Sequence, residues 1–427
     1  MSRVLGRLPG RVRRYWQPFL AIVDQAIFGG SRFLVTLILG RLAGLEELGL
    51  FAMGFTCYLL ASNTQQALVH TPLAVFLHRT PIGERADRIG SAVLHFIYLS
   101  AVASLAMLAL AVGFSVTERI AGLDAVLFTL TFALPALLLR DLWRGIGMAE
   151  LALPRVLALD VAFTTLVVVF LVALDYAESL SAVHGHLAVG LASALAVAGC
   201  ITFLRPRTKM SVRAARQEAS RSWAIGRYVW AAQTAFLVRA YAMHWILGLY
   251  VSAESAGIFA AVEAFVLLPN PLVRGFANYF TPAAAKVFVE RGKAQLAQMC
   301  KVAGLLLALL LSITTAVFAF FGDDLATLAY GPQFAGNGAA ITSFAVFALL
   351  EAISIPLTAG LSVLERAESI ARAATWSVAV TLACAIPLLG AFGVAGAAQA
   401  MAIGAAVALG IELKAFYSAL TQDQLLS

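Results

Sequence analysis

Residues 24–52 read DQAIFGGSRFLVTLILGRLAGLEELGLFA, and residues 232–260 read AQTAFLVRAYAMHWILGLYVSAESAGIFA. Each stretch opens with a long apolar run holding a few polar groups, passes a short polar interruption and starts a second apolar run. Laid over each other at an offset of 208, Gln25 meets Gln233, Phe28 meets Phe236, and Ile38-Leu39-Gly40 meets Ile246-Leu247-Gly248. Glu46 then meets Glu254, Gly49 meets Gly257, and Phe51-Ala52 meets Phe259-Ala260. Apolar coincidences are common in membrane helices, but Gln, Glu and Gly matching in register are not. Self-similarity at a fixed offset marks a duplicated architecture. Thr71-Pro72 and Thr281-Pro282 extend the match with a slip of two residues. The chain therefore reads as two homologous halves, each led by a helix that keeps polar groups at membrane depth.

Of the 427 residues, 61% are hydrophobic and 12% charged, and the mean hydropathy is +0.88. Soluble domains carry about twice that charge. The apolar runs are continuous, without the alternation of a β-barrel, so the fold class is an all-α polytopic membrane protein. Runs long enough to span, roughly 20 residues each, fall at 17–42, 49–76, 90–114, 122–139, 154–175, 184–204, 227–250, 256–283, 297–321, 337–362, 372–389 and 392–416. These twelve divide as a basic N-terminus (1–16), a six-helix bundle (17–204), a basic linker (205–226), a second bundle (227–417) and a tail (418–427). An even number per half gives both halves the same orientation, about an axis along the membrane normal.

The net charge of +7 is placed by topology. Basic residues gather at the N-terminus, at Arg79-Arg85-Arg88, at Arg140-Arg144-Arg155, in the central linker, at Lys286-Arg291-Lys293 and at Arg366-Arg372. The alternate joins hold Glu46-Glu47, Glu118, Asp175-Glu178, Glu254 and Asp323-Asp324. This positive-inside pattern places both termini in the cytoplasm and makes membrane lipid, not nucleic acid, the partner of the basic surface. The N-terminal run is too long and too polar for a cleaved signal. No phosphate-cradling loop, metalloprotease or nucleophile motif is found, so an enzyme is not expected, nor a cofactor. The four scattered cysteines suggest no disulfide framework. His184 and His186 make only a weak metal pattern, and no metal site is expected.

What remains is a sparse set of ionisable groups in apolar helices: Asp24, Arg32, Asp160, Arg239, His244, Glu263 and Glu351. Each is costly in lipid unless it meets a partner or water, and defaults to a functional reading. Asp24, Phe28, Ser31 and Arg32 share one helical face, with Gln25 at its edge. Arg239 occupies the position equivalent to Ser31, so each lead helix brings one arginine to a similar depth, where a shared cavity would present both. A guanidinium pair suits a pyrophosphate. Asp24, Gln25, Gln233, His244, Glu263 and Glu351 are the polar or coupling candidates. The bland alternative is that Asp24 pairs with Arg32 to fix packing. Asp160, near Pro154, is expected at the interface. Pro269-Asn270-Pro271 should break the eighth span and act as a hinge, as broken helices do in alternating-access transporters.

The lead pattern DQAIFGGSRFLVTLILGRLAGLEELGLFAMG, the YGPQFA segment at Tyr330 and the G-x-x-GAA segment at Gly393 resemble O-antigen-type flippases of polysaccharide biosynthesis. That family falls in the multidrug/oligosaccharidyl-lipid/polysaccharide exporter superfamily. The resemblance implies two six-helix bundles around a central cavity. It implies transfer of a polyprenyl-pyrophosphate-linked oligosaccharide to the outer leaflet of a bacterial inner membrane, with Arg32 and Arg239 on the pyrophosphate. It adds polymerase or glycosyltransferase machinery as further partners. A cation-coupled multidrug antiporter of the same fold is the alternative, and should show acidic cavity groups. A peptidoglycan-precursor flippase would be longer by two helices. A non-transporting partner of a polysaccharide synthase would tolerate loss of the buried charges.

Overall fold

The computed structural model describes residues 10–204 and 208–421. The extreme N-terminal arginines Arg3 and Arg7, the linker residues Arg205 and Arg207, and the tail beyond Thr421 lie outside the described residues, as does the side chain of Pro271. Every element among them is helical. The order is α1 (Gly10–Ile38), α2 (Leu45–Gln65), α3 (Thr71–Leu77), α4 (Arg85–Thr117), α5 (Leu123–Ala149), α6 (Leu153–Tyr176), α7 (Ala182–Leu204), α8 (Val212–Tyr250), α9 (Ala253–Val266), α10 (Asn270–Tyr330), α11 (Gly338–Val363) and α12 (Ala367–Thr421). Among the described residues, nine helical stretches are long and apolar enough to cross a membrane by length and composition. Two of them, α10 and α12, are each broken by one glycine: Gly292 (φ 74°) and Gly393 (φ 57°) sit in the left-handed region that L side chains avoid. Divided there, each supplies two crossings. α8 falls outside the nine because Gln233, Arg239 and His244 interrupt its apolar part. With α8, and with α9 running into the start of α10, the layout is the twelve-span one read from the sequence.

The helix boundaries follow local chemistry. Ser211 caps α8, its Oγ accepting the Ala214 N–H at 3.3 Å. α6 starts with a proline in its first turn, where no N–H partner is needed. Helix α9 stops at Val266 and α10 begins at Asn270, so the chain breaks at Pro269 as the paired prolines require. Two departures are informative. α5 runs ten residues past the expected end of its span, to Ala149, because Arg140-Asp141-Leu142-Trp143-Arg144 continues the helix with no breaker. The stretch read as a linker is helical from Val212 onward.

The chain forms two compact units, residues 1–257 and 258–427. In the first, α5 is the central element: Leu123, Val126, Leu127, Leu130, Leu134 and Leu138 are all at most 1% exposed, and α5 packs against α4 and α7. α6 fills the space between α7 and α1. Lipid tails are as apolar as these side chains, so close van der Waals packing, rather than escape from water, holds such helices together. α8 also belongs to this unit, packing on α2 and α4. In the second unit, α11 packs against both α10 and α12. One part of that core gathers Phe280, Leu296, Cys300, Leu361 and Phe416.

Within the first unit, α2 meets the first turn of α9 at two glycines. A Cβ on Gly49 would lie 1.8 Å from the Ala253 carbonyl oxygen, and one on Gly257 would lie 1.8 Å from the Leu45 carbonyl oxygen. The contact is reciprocal: Leu45 and Ala253, like Gly49 and Gly257, stand 208 positions apart. The offset found in the sequence thus reappears as a local two-fold crossing, and it explains why glycine occupies both matched positions.

Candidate functional site: a buried charge network and the lead-helix arginines

Because α5 continues to Ala149, Arg140 and Arg144 sit one turn apart on the same helix face, inside the helix bundle and not in a join. Arg144 bridges two carboxylates from other helices. Its Nη2 donates to Asp24 Oδ2 of α1 at 2.6 Å, and its Nε donates to Asp160 Oδ2 of α6 at 2.8 Å. Both aspartates are 1% exposed. The Arg144 guanidinium lies over the Phe28 ring at 4.5 Å, and that of Arg140 over the Phe163 ring at 3.8 Å. These rings cover the planar faces of guanidinium groups that would otherwise lose water without replacement. Asp141 completes the network. Its Oδ2 accepts from Tyr58 Oη at 2.9 Å and Ser62 Oγ at 2.6 Å, and its Oδ1 faces Arg140 Nη2 at 3.5 Å. Gln65 donates to the Leu138 carbonyl at 2.9 Å and lies 3.1 Å from the His70 ring, which packs flat against Gly145.

The charge is unbalanced. Asp24, Asp160 and Asp141 bring three negative charges against the two of Arg140 and Arg144. Among the described residues, Oδ1 of Asp24 and Oδ1 of Asp160 are buried without a hydrogen-bond partner. A lone uncompensated charge at such a place costs several kcal/mol. The two orphaned oxygens are therefore suited to hold one proton or one small monovalent cation.

These contacts revise three expectations. Asp160 is not interfacial: α1 and α5 pack over it and Arg144 neutralises it. The ion-pair partner of Asp24 is Arg144, not Arg32. Arg140 and Arg144, assigned to a cytoplasmic join by charge counting, are core residues, with side chains 4% and 18% exposed.

The other sequence candidates lie as follows. Arg32 is exposed; its Nη2 donates to Tyr241 Oη of α8 at 3.2 Å, and its guanidinium lies 5.1 Å from the Phe55 ring. Tyr241 in turn packs on buried His244, ring centroids 5.7 Å apart. The next residue, Trp245, donates to Thr56 Oγ1 at 2.7 Å. One cluster from α1, α2 and α8 thus gathers Arg32 and His244. Arg239 is half-buried on α8, 5.5 Å from the Phe236 ring one turn earlier. Gln25 is exposed and donates to Asp24 Oδ2 at 3.3 Å, while Gln233 is half-buried on α8. Glu263 and Glu351 are half-buried in the second unit, on α9 and α11. His186 is a packing residue: it stacks on Phe51 at 4.4 Å, its Nε2 lies 3.2 Å from the Phe51 carbonyl, and His184 pairs with Ser181.

No protein-family profile and no curated protein sequence matches the chain. Solved structures do. An inward-facing multidrug resistance transporter of the MATE family in the MOP superfamily superposes with a TM-score of 0.79 at 15% identity, over 93% of this chain and 96% of that one. The lipid II flippase MurJ, in an inward closed conformation, gives 0.69 at 12%, over 94% and 87%. A MOP-superfamily transporter from Pyrococcus furiosus, described by the reverse polarity of its binding pocket, gives 0.65 at 14%, over 95% of each chain. This likeness is one of fold. The chain is a multi-pass, all-helical membrane protein with the fold of these transporters.

Proposed function

We propose that this protein is a membrane transporter. It flips a polyprenyl-pyrophosphate-linked oligosaccharide from the inner to the outer leaflet of a bacterial inner membrane, by alternating access, for surface polysaccharide synthesis. The observation that carries the reading is Arg32: an exposed guanidinium on an apolar lead helix, held from behind by the Phe55 ring and from the side by Tyr241. A guanidinium is a permanently charged, planar set of N–H donors whose geometry matches the oxygens of a pyrophosphate. Arg239 on α8 is the second pyrophosphate ligand of the proposal. Pro269 and Pro271 form the hinge, and both termini are cytoplasmic. Fold likeness to a lipid II flippase supports a lipid-linked substrate. The Asp24–Arg144–Asp160 network serves as the coupling element, its surplus negative charge exchanging a proton or cation during the cycle.

The same surplus favours a second reading, a cation-coupled multidrug antiporter, since the acidic groups are the more deeply buried ones and the MATE transporter shares the fold. Arg32→Ala and Arg239→Ala, made singly in a host deleted for the gene, separate the two. Loss of surface polysaccharide with accumulation of the lipid-linked intermediate, at normal protein level, is the expected result. Normal polysaccharide in both variants would overturn the arginine assignment. Altered drug tolerance with intact polysaccharide on whole-gene deletion would establish the antiporter.

A further inference from the structure

The first four turns of α8 have one face docked on the first unit. The Lys209 N–H, just before the helix, donates to the Ala86 carbonyl at 2.9 Å. The Ala215 carbonyl lies 3.0 Å from His95 Nε2, and Glu218 forms an ion pair with Arg88. Gly226 is pressed on the helical turn that follows α2, where a Cβ would come 2.7 Å from the Ala67 carbonyl oxygen. Ala215, Glu218, Ser222 and Gly226 recur at the spacing of a single helix face.

The rest of the surface is basic and aromatic. Arg213, Arg216, Arg221 and Arg227 are exposed, and among the described residues none of them forms an ion pair. Glu218 is committed to Arg88. Trp223 is 53% exposed, Tyr228 66% and Trp230 36%. At about 100° per residue, Arg216, Trp223, Arg227 and Trp230 fall within roughly 60° of one another, a stripe about 21 Å long. It ends where the apolar part of α8 begins, at Ala231.

We propose that this stripe binds the headgroups of anionic phospholipids. Guanidinium forks match phosphate oxygens, and indole rings settle at headgroup depth. Arg216 and Arg227 in the stripe, flanked by Arg213 and Arg221, have no carboxylate to neutralise them and call for an anion from outside the chain, and beside a membrane-spanning segment the abundant one is the lipid phosphate. The inference is independent of what the protein transports.

The test is native mass spectrometry of the full chain in detergent, titrated with phosphatidylglycerol or phosphatidylcholine. Phosphatidylglycerol should bind the more tightly. R216Q/R227Q should weaken it about 25-fold, on the basis of roughly fivefold per arginine, with unchanged thermal unfolding because both side chains are exposed. R216K/R227K, which keeps the charge, should retain most of the affinity. Equal affinity for both lipids, or no effect of R216Q/R227Q, would overturn the proposal. Full displacement of phosphatidylglycerol by inorganic pyrophosphate would also overturn it, showing a site for a free anion instead.

Discussion

Replacing Arg144 with Gln tests the charge network directly. In the parent, one guanidinium holds two carboxylates at 2.6 and 2.8 Å, each 1% exposed. Without it, Asp24 and Asp160 share a buried site with no counter-charge between them. Removing one partner of a buried ion pair costs about 3–5 kcal/mol, which for a unit of this size lowers the unfolding midpoint on the order of 10 °C. Asp24→Asn or Asp160→Asn should behave differently. Either leaves one carboxylate opposite one guanidinium, trading a charge-assisted hydrogen bond, about 1.5–3 kcal/mol, for relief of the surplus charge, so the net loss should be much smaller. The triple replacement of Arg144, Asp24 and Asp160 by Gln, Asn and Asn should recover most of the stability lost by Arg144→Gln. Scanning fluorimetry of purified protein in detergent gives the midpoints. The reasoning fails if Arg144→Gln unfolds with the parent, or if Asp24→Asn is as damaging as Arg144→Gln. The transport readout adds a second axis: if the network is the coupling element proposed above, the two Asn variants should fold well yet lose transport.

Gly49→Ala and Gly257→Ala should each cost about 1–3 kcal/mol, because a Cβ at either site lands 1.8 Å from a carbonyl oxygen. Gly30→Ala is the control: nothing lies within 4 Å of its Cβ, so it should be neutral or gain up to about 1 kcal/mol of helix propensity. The same thermal assay reads all three. Tyr241→Phe removes the hydroxyl that accepts from Arg32 at 3.2 Å and leaves the ring on His244. On the proposed function it should keep the protein level and lower polysaccharide export several-fold, less than Arg32→Ala does. Export equal to the parent would show that Arg32 needs no such support.

The duplicated lead stretch was legible because its Gln, Glu and Gly matches could not arise from apolarity alone, and the structure returns the same offset at the Gly49–Gly257 crossing. The break at Pro269 was legible because proline removes a donor wherever it falls. The centre of the network was not. Periodicity assigns a residue to a face of its own helix and says nothing about which helix that face meets. Asp160 was given a depth from its distance to Pro154, yet its burial is decided by α1 and α5 lying over it. Arg140 and Arg144 follow an apolar run, where charge counting reads arginine as a topology signal. The clue against that reading was local: after Leu139 no glycine or proline intervenes until Gly145, so the helix had no reason to stop at the first arginine. Whether such an arginine belongs to a join or a core depends on carboxylates elsewhere in the chain. For Arg144 these lie 120 residues before it and 16 after, and only the packing of α6 against both α1 and α5 brings the three together.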